Sequence, residues 1–148
     1  MDNLYISKMS KCDIRQIEEI EKLSFSKSWS YNSIYEELSN VNAHFYVAKD
    51  NNNIVLGYIG MHGICGEGYI TNLAVHPKYR RRGIANKLLS NLIKYAKYNK
   101  YDFVTLEVRK SNALAIHVYK ENGFVEIGIR RNFYSSPNED AIIMTYYF

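Results

Sequence analysis

The chain has 148 residues, 47% of them apolar and 23% charged, enough for one core that removes roughly 68–70% of the unfolded surface from water. No window approaches the ~18 consecutive apolar residues of a membrane span, and Met1-Asp2-Asn3-Leu4 is not a basic segment leading into an apolar one. A single soluble, cytoplasmic domain over 1–148 is therefore expected, and the net charge of +4 leaves room for an anionic partner. Cys12 and Cys65 are too few for a disulfide scaffold and are expected as small buried hydrophobes. His44, His62, His76 and His117 offer no pair at ligand spacing, so no metal is expected.

In chain order, Leu4 to Met9 reads as a strand, and Ser10 caps a helix with the inner face Ile14, Ile17, Ile20 and Leu23. Phe25 to Ser30 is a loop, after which Ser30 starts a short helix through Ile34 and Leu38. His44 to Lys49 and Ile54 to Ile64 are strands joined by the polar turn Asp50-Asn51-Asn52-Asn53. Gly66-Glu67-Gly68 turns the chain into a strand from Tyr69 to His76, which Pro77 stops because it has no N–H for the ladder. A long helix opening at about Arg82 carries Ile84, Leu88, Leu89, Leu92, Ile93 and Ala96 on one stripe. Asp102 to Arg109 is a strand, Ser111 caps a helix to about Asn122, and Phe124 to Arg130 and Ala141 to Phe148 are the last strands. This order predicts a mixed α/β fold: one sheet with helices on both faces, in which 69–76 and 102–109 are parallel neighbours joined by a right-handed crossover.

The turn between the Tyr69 strand and the long helix has the make-up of an anion holder. The first N–H groups of a helix lack internal partners and carry the positive end of the macrodipole. Gly83 removes a Cβ that would keep an anion away, and Arg80, Arg81 and Arg82 add charge. A basic cluster of this kind is in many proteins only a solvated face. No Gly-x-x-x-x-Gly-Lys-Ser/Thr occurs, and the dinucleotide fingerprint needs three glycines where this turn has one. The charge excess between Lys78 and Arg82 could serve nucleic acid, but a ligand with several phosphates accounts for it equally well.

Downstream, alternation puts Val104, Leu106 and Val108 on one face of their strand and Phe103, Thr105, Glu107 and Arg109 on the other. Glu107 is either an ion-pair partner of Arg109 or a general base. Tyr119 lies seven residues after Asn112, about two helical turns, so both address one side of their helix. Among 14 tyrosines, any one is by default core or surface, and Asn112 by default a first-turn polar residue.

The pattern Arg80-x-x-Gly83-x-Ala85 resembles the acyl-CoA pyrophosphate loop of the GCN5-related N-acetyltransferases (GNAT). Two further segments, Leu106 to Phe124 with its Glu107, Asn112 and Tyr119, and Arg130-Arg131-Asn132-Phe133-Tyr134 followed by Glu139 to Met144, are similar to the RimI-type ribosomal-protein-alanine N-acetyltransferases. The resemblance implies a mostly antiparallel sheet of about seven strands in which one parallel pair splays apart to admit the cofactor's pantetheine arm. It implies that Leu73, Ala74 and Val75 present backbone to that arm, with the Val75 N–H polarising the thioester carbonyl. Arg80, Arg81, Arg82, Gly83, Ile84, Ala85 and Asn86 would wrap the pyrophosphate, and Asn112 would touch the cofactor. Glu107 would accept the amine proton, directly or through water, and Tyr119 would protonate the departing thiolate. Trp29, Arg131, Asn132 and Tyr134 would hold the peptide.

The implied activity is direct acetyl transfer from acetyl-CoA to the N-terminal alanine of the eighteenth small-subunit ribosomal protein, by a monomer needing neither metal nor membrane nor nucleic acid. Glu18, Glu19, Glu21, Glu36, Glu37, Glu139 and Asp140 could steer a basic peptide, most of them from solvated helix surface. The sequence departs from the family pattern at Arg80, where glutamine is usual, at Ser28, where proline often precedes the tryptophan, and at Phe133, where a second tyrosine is common. An acetyltransferase for lysine or small amines, and a non-catalytic module binding RNA or the ribosome through Lys78 to Arg82, are the competing readings.

Overall fold

The computed structural model describes residues 3–148. It contains one seven-stranded sheet of order β1-β2-β3-β4-β5-β7-β6, antiparallel except between β4 and β5. Strand β1 (Tyr5–Lys8) leads through a 3-10 turn into α1 (Ile14–Ser24), and Ser10 and Asp13 cap that turn reciprocally. Ile14, Ile17 and Ile20 are buried, but Leu23 is 52% exposed. At ~100° per residue Leu23 falls off the isoleucine stripe, and the inner position is taken by Glu21.

Ser30 accepts the Ser33 N–H at 3.2 Å and starts α2 (Tyr31–Glu36), which tightens into a 3-10 turn and leaves Leu38 exposed. Strands β2 (Ala43–Lys49) and β3 (Val55–Ile64) are joined by a turn in which Asp50 Oδ1 accepts the N–H groups of Asn52 and Ile54. Strand β4 (Glu67–Val75) follows a tighter turn than expected, Cys65-Gly66, with φ of 52° and 78° at the two central residues. Positive φ at both is what a two-residue hairpin of matching twist requires, so Glu67 and Gly68 belong to the strand. Cys65 at the turn tip and Cys12 on the 3-10 turn are both exposed free thiols rather than buried hydrophobes.

Helix α3 (Ile84–Tyr98) begins two residues later than the pattern suggests, because Gly83 at φ 75° is its N-cap. Strand β5 (Phe103–Arg109) buries Val104, Leu106 and Val108 as the alternation predicts. Helix α4 (Ala113–Glu121) is capped by Asn112, whose Oδ1 accepts the Ala115 N–H at 3.1 Å, and not by Ser111, whose own N–H donates to Glu139 Oε2 at 2.6 Å. Strands β6 (Val125–Tyr134) and β7 (Glu139–Tyr147) form a longer hairpin than expected. At Asn132 (φ 53°) the strand is irregular, and Asp140 Oδ1 takes its N–H at 2.8 Å, so pairing resumes at Tyr134.

Helices cover both faces. α1 and α2 pack Ile14, Ile17, Ile20 and Ile34 on Phe45, Val47, Val55, Tyr58 and Ala74. α3 and α4 pack on Tyr46, Leu56, Ile59, Met61, Leu106 and Met144 of the opposite face. Each fully buried aliphatic side chain contributes about 1.5–3 kcal/mol, so the helices are fixed to the sheet by their apolar stripes. Between them they clamp the strands that carry the site.

Candidate active site

Strands β4 and β5 pair only over Glu67 to Tyr69 and Phe103 to Thr105, although both continue well beyond. Opposite Gly60 and Met61, β4 carries one residue too many, Thr71, and this bulge increases local twist where the pairing ends. β5 stays with β7 along its whole length, so a gap opens between the C-terminal halves of β4 and β5. His76 N–H bonds Leu56 O at 2.8 Å, and antiparallel pairs alternate in their bonding. The backbone N–H and C=O of Leu73 and Val75, opposite Ile59 and Gly57, therefore turn away from β3 toward the gap.

On the opening lies a cavity of about 420 Å³ lined by Leu73, Glu107, Asn112 and Tyr119 together with Trp29 and Tyr134. Val75 stands at the end of β4, and Ala74 is buried in the α1 face. Arg80 to Asn86 lie outside the cavity lining, at the start of α3. Arg131 and Asn132 are also outside it; the hairpin reaches the cavity through Phe133, Tyr134 and Ser135. Lys27 Nζ donates to Ser135 Oγ at 2.5 Å, joining the α1–α2 loop to that hairpin across the cavity.

Glu107 and Arg109 do not pair with each other. Glu107 Oε2 accepts from Arg130 Nε at 3.0 Å and Oε1 accepts from the Tyr69 hydroxyl. Arg109 binds Glu139 at 3.1 Å and the carbonyls of Pro137 and Ser135, with its guanidinium 4.5 Å from the Tyr134 ring centroid. The hydrogen bond from Ser111 and then Arg109 hold the Glu139 carboxyl below its usual range, so this brace survives mild acid.

Tyr119 is 7% exposed, packs its ring 5.7 Å from that of Phe124, and its hydroxyl bonds no other described residue. Burial, and secondarily Tyr134, push its phenol well up, while burial and Glu107 push Tyr134 up to about 12. Burial and the bond to Glu107 raise Tyr69 as well. All three are proton donors at neutral pH.

In the turn before α3, Arg81 and Gly83 have φ of 64° and 75°, and a Cβ on Gly83 would meet nothing within 4 Å. The first helical bond runs from Lys87 N–H to Gly83 O at 3.1 Å, so the N–H groups of Ile84, Ala85 and Asn86 precede the ladder. Arg80 Nε donates to Val75 O at 3.2 Å and the Arg82 guanidinium lies 5.7 Å from the Tyr79 ring centroid. The Asn86 amide accepts from Asn122 at 2.7 Å, tying α3 to the end of α4. Arg81 and Arg82 make no hydrogen bond or ion pair to a described residue, and Arg82 alone of the two lies over a ring.

The spacing rules passed over Tyr69, Asn72 and Arg130, and placed Glu21 only among the acids that could steer a basic peptide. Glu21 had a signal: seven residues after Ile14, it falls on the inner stripe of α1. It is fully buried, not solvated surface. Other acids expected to steer a peptide are occupied too: Glu18 takes the Tyr31 N–H, Glu37 pairs with His62 and Asp140 takes the Asn132 N–H. Among the described residues no group of three or more His, Cys, Asp or Glu could hold a metal, and no helix is long and apolar enough to cross a membrane.

A mixed sheet with one parallel pair splayed at a bulge, an anion turn opening the crossover helix, and a carboxylate and a phenol in the gap define an acyl-transferring class of enzyme. The chain belongs to the acetyltransferase (GNAT) family, whose sequence profile matches residues 14–124. It is 36% identical, over 133 residues covering 89% of this chain and 87% of the other, to a Bacillus subtilis protein provisionally named as a ribosomal protein bS18-alanine N-acetyltransferase. It is 32% identical over 141 residues, 94% of each chain, to the enzyme of that name from Escherichia coli strain K12. The crystal structure of the ribosomal-protein-S18-alanine N-acetyltransferase from Escherichia coli superimposes with a TM-score of 0.89 at 30% identity, covering 97% of this chain and 93% of that one.

Proposed function

We propose that this chain, as one acetyltransferase domain over 1–148, transfers the acetyl group of acetyl-CoA to the N-terminal α-amine of a protein, and that its substrate is the alanine-first ribosomal protein bS18. The reading is carried by Glu107 and Tyr119, which reach one cavity at the β4–β5 gap from a strand and a helix. Relatives that share most of the chain and carry the bS18-alanine N-acetyltransferase name support the choice of substrate.

The residues present fit acetyl-CoA. The open space at Gly83, the N–H groups ahead of the α3 ladder and Arg81 suit a pyrophosphate. The outward-turned backbone of Leu73 and Val75 suits an amide-bearing arm, and Val75 offers an N–H for a carbonyl oxygen. When bound, acetyl-CoA supplies an acetyl group activated as a thioester.

Glu107 takes the proton from the attacking amine, directly or through one water, and Arg130 and Tyr69 hold its two oxygens while it does so. An α-amine with a pKa of about 7.7–8.0 needs far less help than a lysine near 10.4, which favours the N-terminal amine as substrate. Tyr119, kept protonated by burial, hands its proton to the departing sulfur.

The deciding experiment is acetylation of a basic peptide with N-terminal alanine, beside the same peptide formylated at its N-terminus and retaining its lysines. Turnover confined to the free N-terminus supports the reading. Equal rates on both would assign the activity to lysine, and no turnover on either would leave the binding-module alternative.

A further inference from the structure

Glu21 is fully buried, yet it lines the cavity and has no Lys, Arg or His within ion-pair distance among the described residues. Its Oε1 accepts the Trp29 N–H at 2.9 Å. Its Oε2 accepts from the Tyr58 hydroxyl and from Asn72 Nδ2, the latter at 3.4 Å. Three donors and no acceptor form the partner set of an ionised carboxylate. The cations of the cavity are occupied elsewhere, Lys27 by Ser135 and Arg109 by Glu139, and Glu107 is offset by Arg130.

Holding such a charge out of water costs several kcal/mol unless a cation meets it. A glutamine would keep an oxygen for the Trp29 N–H but turn its NH2 group, a donor, toward the Tyr58 and Asn72 donors, so the full donor set calls for an acid here. The cation that enters this cavity in an acetyltransferase of N-termini is the substrate's α-ammonium.

Resting on the proposed function, we infer that Glu21 is a positioning residue for the peptide. Its buried charge draws the N-terminal ammonium to the cavity floor, and its bond to Trp29 holds the α1–α2 loop on strand β4 to receive the first residue. The loop lacks proline at Ser28, and the Glu21 bond to the next N–H restrains it instead. Discrimination between a free and a blocked N-terminus is then set at binding, before Glu107 removes a proton.

The test is steady-state kinetics on the Ala-starting peptide with wild type, Glu21→Gln and Glu21→Asp. In the Gln variant the peptide KM is expected to rise about tenfold, with kcat at saturating peptide and the KM for acetyl-CoA changed less than about twofold. The Asp variant keeps the charge but shortens the reach to Trp29, and it is expected to lie nearer wild type than Gln does. A purely structural anchor predicts the reverse order, and that order, or an unchanged KM in Gln, overturns the inference. A second measurement needs no variant: a peptide with isobutyryl in place of the first alanine, isosteric but with a methyl where the ammonium stands, should bind wild type about tenfold more weakly than the free-amine peptide. Equal affinities also overturn the inference. In each case wild-type turnover on the peptide keeps the proposed function separate, since only its absence would count against that.

Discussion

The Glu107 carboxylate is held at both oxygens, by Arg130 at 3.0 Å and by the Tyr69 hydroxyl, whereas the Tyr119 hydroxyl in the same cavity bonds no other described residue. The base is fixed in place by the β4 and β6 strands on either side of β5 and β7. The acid is fixed by its ring alone, so its proton stays available for a departing group.

Glu107→Gln keeps the shape and a hydrogen bond to Arg130 but removes the base. The expected loss is about 10²–10⁴ in kcat, with the KM for acetyl-CoA little changed. Because Arg130 is more than half exposed, the thermal midpoint should barely move. Initial rates on the Ala-starting peptide beside an acetyl-CoA titration measure both.

Tyr119→Phe should also cost about 10²–10⁴ in kcat while leaving the fold intact, since the ring and its contact with Phe124 remain. Burial raises the phenol, so its protonated, active form persists to higher pH than that of a free tyrosine, whose pKa is about 10. In a kcat profile between about pH 7 and pH 10 no falling limb from Tyr119 is expected. A decline centred within that window and absent in the Phe variant would contradict the burial argument.

Gly83→Ala places a Cβ where φ is 75°, at a cost of about 1–2 kcal/mol for that backbone conformation. The added methyl would clash with nothing in the protein, so any effect comes from strain in the turn and from the anion it faces. The KM for acetyl-CoA should rise about tenfold with kcat at saturation nearly unchanged, and a KM within a factor of about two would remove this turn from the cofactor site.

Lys49 and Asp13 form a buried ion pair at 2.6 Å that joins β2 to the start of α1. Burial alone would lower the lysine, but the hydrogen bond and charge of Asp13 outweigh it and the net direction is up. A raised lysine contributes stability that is complete below its unfolded value of about 10.4 and is lost as pH climbs through the folded value. Thermal midpoints should therefore fall above about pH 10.4, less steeply in Asp13→Asn, and Lys49→Met should cost about 3–5 kcal/mol by stranding Asp13. Thermal melts at several pH values check both.

Most elements were legible because each writes a local period: the isoleucines of α1, the stripe of α3, the strict alternation of β5. What misled was local as well. Leu23 has the right chemistry at the wrong angle, and Ser111 is a good cap one residue too early, displaced because Asn112 reaches the Ala115 N–H. The β6–β7 hairpin looked like a long loop because the irregularity at Asn132 breaks the pattern while the ladder resumes beyond it.

By itself the sequence determined the order of strands and helices, the apolar faces, the glycine that leaves room for an anion before α3, and the placement of Glu107 and Tyr119 on their elements, all of which follow from residue type and spacing along the chain. Only the tertiary structure decided who meets whom. Arg109 and Glu107 are two residues apart on one face, yet each pairs across the sheet, with Glu139 and Arg130, because pleat and twist bring β6 and β7 closer to their side chains than they are to each other. Glu21 shows the same limit: its position on α1 was readable, but its three donors come from a loop and two strands that converge only when the helix packs on the sheet.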